Sequence, residues 1–122
     1  MQLVSKNNPV SHYTWGNNCD GWVLVDTEGL SVKQERMPAQ TAEALHYHER
    51  AQQFFFILKG TATFEVEEKY FTVHTDQGFH IEPGNKHRIL NNTEEDLEFV
   101  LSSQPSTNND RVQAPPPLKG NL

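Results

Sequence analysis

The chain has 122 residues, 35% of them hydrophobic, with ten basic side chains against sixteen acidic ones and a net charge of −6 at pH 7. That is enough for one domain around a single core. The acidic balance excludes a nucleic-acid backbone as partner, since such binders need a basic face, and no apolar run approaches the roughly 20 residues that cross a bilayer.

Residues 1–20 alternate between polar and aromatic, with His12, Tyr13 and Trp15 before the turn cluster Gly16-Asn17-Asn18-Cys19-Asp20-Gly21. Tyr13 and Trp15 carry much apolar area and are expected to cover a core edge or a subunit contact. The first residues lack the apolar core of a signal peptide. Cys19 is the single cysteine and has no internal disulfide partner. Together these features predict a cytoplasmic location, in which the sequon Asn91-Asn92-Thr93 carries no meaning.

Residues 22–25 predict a strand, and Asp26-Thr27-Glu28-Gly29 a turn into a second strand over residues 30–37, closed by Pro38. Residues 39–44 read as a loop and residues 45–48 as a short strand. Residues 53–59 are nearly continuous in apolar character, as in a strand covered on both faces, and Gly60 turns the chain. Residues 61–67 alternate, with Ala62, Phe64 and Val66 on the buried side. Glu68-Lys69 makes a hairpin turn to residues 70–74. Short strands follow over residues 79–81 and 87–91, and a last one over residues 97–101. From Ser102 the chain turns to Ser, Asn, Gln and Pro, and Pro115-Pro116-Pro117 cannot enter a sheet interior. The expectation is an all-β domain over residues 1–101, with residues 1–20 as an edge or arm, and an extended or disordered polar tail over residues 102–122.

The chemistry concentrates at two places. His46 and His48 lie two residues apart and share a face if their segment is a strand. His87 follows the Pro83-Gly84 turn, a strong loop signal. Three neutral imidazoles with one side-chain oxygen suit a divalent transition metal such as Zn, Fe, Ni or Mn.

The order and spacing of these clusters resemble the cupin superfamily. His46-x-His48, four residues, Gln53, six residues, Gly60 matches its first motif, with Gln where the motif has Glu and Gln40 where it opens on glycine. Gly84, two residues, His87, three residues, Asn91 matches its second motif, with Glu82 in place of a proline and Asp76 in place of the leading glycine. The match spans roughly residues 30–101 and is similar to small single-domain cupins.

The resemblance implies a double-stranded β-helix, or jelly-roll barrel, with a metal inside one mouth held by His46, His48, Gln53 and His87. It also implies a homodimer, commonly made through an exchanged terminal strand. Gln52 offers an alternative to Gln53; parity with Phe55 and Ile57 and the distance to Gly60 favour Gln53. A neutral amide leaves a divalent centre at +2 rather than +1, which favours an anionic or oxygen-chelating small molecule. The three-His, one-Gln set is similar to that of some cupins that process pectin-derived uronates.

The functional expectation is a metal-dependent enzyme acting on a small oxygenated substrate such as a sugar acid or keto compound. Its chemistry is of isomerase or lyase type, or that of an O₂-dependent dioxygenase. The alternative is a non-catalytic small-molecule or sugar-binding module with a structural metal, since the fold does not fix the reaction. Glu43 is a candidate general base, against the plainer reading of an exposed loop carboxylate. Glu35, Arg36 and Tyr47 read as strand-surface groups near the mouth, and His12, His74 and His80 as surface or supporting histidines. Phe54, Phe55 and Phe56 read as core, with Phe55 toward the cavity; Cys19 reads as structural.

Overall fold

Alternation decides where each side chain of Gln52–Lys59 points. Gln53, Phe55 and Ile57 are buried, whereas Gln52, Phe54, Phe56 and Leu58 are exposed on the other face. In the computed structural model, which describes residues 1–115, this is the sixth of twelve strands. The others are β1 Ser11–Trp15, β2 Cys19–Asp26, β3 Ser31–Met37, β4 Thr41–Ala42, β5 His46–Tyr47, β7 Thr61–Val66, β8 Lys69–His74, β9 Gly78–Ile81, β10 His87–Asn91, β11 Leu97–Gln104 and β12 Val112–Gln113, with Gln52–Lys59 as β6. No helix long and apolar enough to cross a membrane occurs among the described residues.

The strands form two antiparallel sheets. One runs β1-β2-β3-β11-β6-β9; the other runs β12-β5-β10-β7-β8, with β4 also pairing β10. The non-consecutive neighbours are those of a double-stranded β-helix, in which successive hairpins wind between two facing sheets. Phe55, Ile57, Phe99 and Leu101 from the first sheet meet Ala62, Phe64, Val73 and Ile89 from the second. Phe64 lies 4.9 Å from Phe55 and 4.5 Å from Phe79 between ring centroids. Each such buried apolar side chain is worth about 1.5–3 kcal/mol. This core fills one end of the sandwich; the other end stays open and polar.

Backbone conformation at the motif positions explains the two glycine substitutions. Gly60 and Gly84 have φ of +85°, and Gln40 and Asp76 adopt φ of +58° and +68°. The left-handed turn is therefore kept where the motif glycine is absent, a conformation Asp tolerates better than Gln. At Gly60 an added Cβ would sit 2.6 Å from the Asp96 carbonyl oxygen, so glycine is required there for space as well as φ.

Several expectations need correction. The 68–69 turn is in fact Glu67-Glu68, both with positive φ, and the strand resumes at Lys69. The last long strand continues past Leu101 to Gln104, and residues 106–114 pack on the second sheet through β12 rather than trailing away. Residues 116–122, the end of the expected tail, lie outside the described residues. Phe54 and Phe56 are not core: they are 44% and 36% exposed, beside Leu58 at 41%, on the outer face of the first sheet. The sequon, by contrast, behaves as expected: Asn91 is fully buried, its amide donating to the carbonyls of Met37, Pro38 and Glu95.

Candidate metal centre

Register brings the three histidines together. His46 on β5 pairs directly with His87 on β10, and His48 follows two residues later on the same side. All three are buried, and their ligand nitrogens lie within 4.8 Å of one another. Gln53 enters from the opposite sheet, where it pairs with Ser103 on β11. Its side chain is buried, whereas Gln52 points outward to His80 and Gln104.

Each ring is held by its Nδ1. His46 Nδ1 donates to the Ala44 carbonyl at 2.8 Å, His87 Nδ1 to the Asn85 carbonyl at 2.9 Å, and His48 Nδ1 to the Asp110 carbonyl. With the proton on Nδ1, every Nε2 presents a lone pair to the same space. Burial pushes the imidazoles toward the neutral form: His46 down to about 3, His87 down to about 4, and His48 downward too.

Two features fit a cation at this point. His48 Nε2 is buried and has no hydrogen-bond partner, an expensive state for a lone acceptor. Gln53 donates its amide N–H to the Ser103 hydroxyl, which turns its Oε1 toward His87 Nε2 at 3.1 Å. Two acceptors then face each other, an arrangement a cation between them would stabilise. Half a turn of the amide would let it donate to His87 instead, so an ion would select the orientation seen here. Nitrogen and oxygen donors of this kind suit a divalent transition metal.

His46, His48 and Gln53 line a cavity of about 420 Å³. Its lining also carries Tyr13, Trp15, Lys33, Glu35, Glu43 and Arg111. Glu43 is not an exposed loop carboxylate: its side chain is only 14% exposed. Oε1 accepts the Ile89 N–H at 3.1 Å, and Oε2 faces the Arg111 guanidinium at 3.9 Å. Burial raises its pKa to about 8; Arg111 opposes the shift and Glu35 adds to it. Glu35 is likewise raised by burial and accepts a hydrogen bond from the Tyr13 hydroxyl.

Gly21 makes the Tyr13–Glu35 contact. Tyr13, Gly21 and Glu35 are register partners across β1, β2 and β3, and a Cβ at Gly21 would lie 2.0 Å from the Tyr13 ring. The missing side chain lets the ring lie across β2 and reach β3. Of the other polar groups near the mouth, Arg36 instead pairs with Asp20 and Asp96 on the outer surface. His12 binds Asp20, and His74 and His80 are exposed. Arg111 and the Tyr13–Glu35 pair escaped the sequence reading; only the Tyr13-to-Gly21 spacing hinted at the latter.

A facing pair of antiparallel sheets with a polar, histidine-lined mouth defines a double-stranded β-helix protein with a candidate metal centre. A model of the cupin domain matches residues 33–103, more than half of the chain, and the chain belongs to that family. Three solved structures share the fold. An uncharacterized conserved protein with a double-stranded β-helix domain from Klebsiella pneumoniae aligns with a TM-score of 0.78 at 18% identity, covering 95% of this chain and 99% of that one. A predicted oxalate decarboxylase from Thermotoga maritima gives 0.75 at 17%, covering 86% and 100%. KdgF from Halomonas sp. gives 0.73 at 15%, covering 81% and 89%. At these identities the likeness concerns the fold. No curated protein sequence matches the chain.

Proposed function

We propose that the chain is a metal-dependent enzyme acting on a small oxygenated anion, a sugar acid or keto compound, with isomerase or lyase chemistry. The observation that carries this reading is the mixed lining of one cavity: convergent Nε2 atoms of His46, His48 and His87 with Gln53 Oε1, beside the carboxyls of Glu35 and Glu43 and the cations Lys33 and Arg111. The name of one fold relative, a predicted oxalate decarboxylase, agrees with a small acid as ligand. A cavity of about 420 Å³ falls in the range of sites for small organic molecules.

His46, His48, Gln53 and His87 would hold one divalent ion, which supplies a Lewis acid for adjacent substrate oxygens. The rest falls to the chain. Lys33 and Arg111, which line the same cavity, attract and orient the anion. Glu43, raised by burial, is placed to exchange a proton at Oε2, the oxygen not engaged by Ile89. Tyr13, donating to Glu35 beside it, is placed to hydrogen-bond substrate hydroxyls. Phe55 and Leu101 close the inner end against water.

A homodimer accompanies this reading, supported by Phe54, Phe56 and Leu58 exposed in one row on the outer sheet face. Light scattering at micromolar concentration should give twice the chain mass, and a monomer would remove that part. For the enzyme itself, metal-loaded protein should be screened against uronates, keto-sugars and diketones, with and without O₂. Turnover of an acid or keto-sugar without O₂ is expected. Stoichiometric metal with no turnover across the screen would favour a binding module instead.

A further inference from the structure

The segment after β11 does more than close the sheet. Ser106 N–H donates to the Glu28 carbonyl, Val112 and Gln113 pair with Tyr47 and His46, and Ala114 N–H donates to the Leu45 carbonyl. Between these anchors lies Asp110, buried at 4% exposure. Its carboxylate accepts three successive backbone N–H groups: Glu49 at 2.8 Å, Arg50 at 3.1 Å and Ala51 at 2.9 Å. Those residues are the loop between His48 and Gln53. The carbonyl of the same residue accepts the Nδ1–H of His48.

His46 and His87 are oriented by carbonyls two residues before them, Ala44 and Asn85, so their own strand ends suffice. His48 has no such local partner. Its ring is fixed from 62 residues away. Three N–H donors converging on one carboxylate also form an anion nest, which holds the loop against its own flexibility. Burial alone would raise the Asp110 pKa, but the N–H groups of Glu49, Ala51 and Arg50 outweigh it and hold the carboxyl below the usual range.

We infer that Asp110 is a positioning residue of the metal centre, whose carboxylate sets the loop from His48 to Gln53 and whose carbonyl fixes His48 with Nε2 free. The inference rests on the metal reading for its effect on affinity but not for its effect on the ring. In carboxylate- or carbonyl-supported metal histidines, loss of the outer partner costs about 10–100-fold in metal affinity. Asp110→Ala keeps the main-chain carbonyl but releases the loop after His48 from the segment that presents it, and should lower Co²⁺ affinity toward that factor. Asp110→Asn, which keeps one acceptor oxygen, should fall between it and the wild type. Val73→Ala, in the core of β8, should lower stability while leaving affinity unchanged.

The test uses the full chain, with Co²⁺ competed against a chromophoric chelator and with ring-nitrogen NMR of the metal-free protein. Metal-free wild type should show His48 protonated at Nδ1 alone, and Asp110→Ala a mixture of tautomers at His48 but not at His46 or His87. Unchanged Co²⁺ affinity and an unchanged His48 tautomer in both Asp110 variants would overturn the inference. Wild type that takes up no Co²⁺ would overturn the metal reading alone, and the NMR would then decide the role of Asp110. Should Asp110→Ala fail to fold, Asp110→Asn carries the same comparison.

Discussion

Two sets of side chains share the cavity, an imidazole wall and an acid wall, and they respond to the same burial in opposite ways. The imidazole wall is built from short strand ends, and desolvation lowers the pKa of His46 and His87 until they are neutral. The acid wall is assembled from β1, β3, the 43 region and Arg111, and desolvation raises Glu43 to about 8. Burial removes charge from both. What differs is what neutrality leaves behind: lone pairs without protons on one side, carboxyls with protons on the other. One wall is prepared to accept a cation, the other to give up a proton.

Removing a lone pair should have the largest effect. His46→Ala should weaken Co²⁺ binding by more than about 100-fold, beyond what any outer partner costs, as measured by chelator competition. Equal affinity would mean that the imidazole wall is not a binding wall. On the acid wall, Glu43→Gln should reduce turnover of a substrate found by the screen by on the order of 10²-fold or more. It should leave Co²⁺ affinity within about threefold, since Glu43 lies off the ligand set. Loss of metal and turnover together would erase the distinction between the walls.

Stability against pH sharpens the comparison through opposite signs. The depressed values of His46 and His87 contribute stability that is present above about 6.5 and lost as pH falls toward about 4 and 3. The raised value of Glu43 contributes stability that is present below about 4.5 and lost as pH rises through about 8. Each group contributes a slope of at most about 1.4 kcal/mol per pH unit in its window. Urea midpoints of metal-free protein should therefore fall on both sides of about pH 6.5. Glu43→Gln should remove one carboxyl's downward slope between about 4.5 and 8, flattening the alkaline side and steepening the acid side above about 4.5. The smallest effect belongs to Gln53→Glu. Lowering a divalent site from +2 to +1 should raise Co²⁺ affinity by about tenfold, the equivalent of about 1.4 kcal/mol. A decrease would place Gln53 outside the ligand set.

The sequence revealed these walls unequally. The imidazole wall depends on local spacing: parity sets His46 with His48, and a turn residue precedes His87, so a linear pattern sufficed. Parity likewise separated Gln53 from Gln52. The acid wall depends on which strands become neighbours, and a strand's own pattern does not state that. Glu35 reads as a surface residue until Gly21 lets Tyr13 cross β2 to meet it. Residues 102–115 read as a tail because they are polar, yet Asp110 is ordered by three N–H groups distant in sequence. Phe54 and Phe56 misled in the other direction: an apolar run suggested two covered faces, and one face of the chain is open.

Elemental analysis of untagged protein, before and after incubation with Zn²⁺ and Co²⁺, tests the central claim most directly. One tightly held divalent ion per chain in the wild type, and none in His46→Ala/His48→Ala, is the expected result. A wild-type protein that retains no divalent ion under either condition would contradict it.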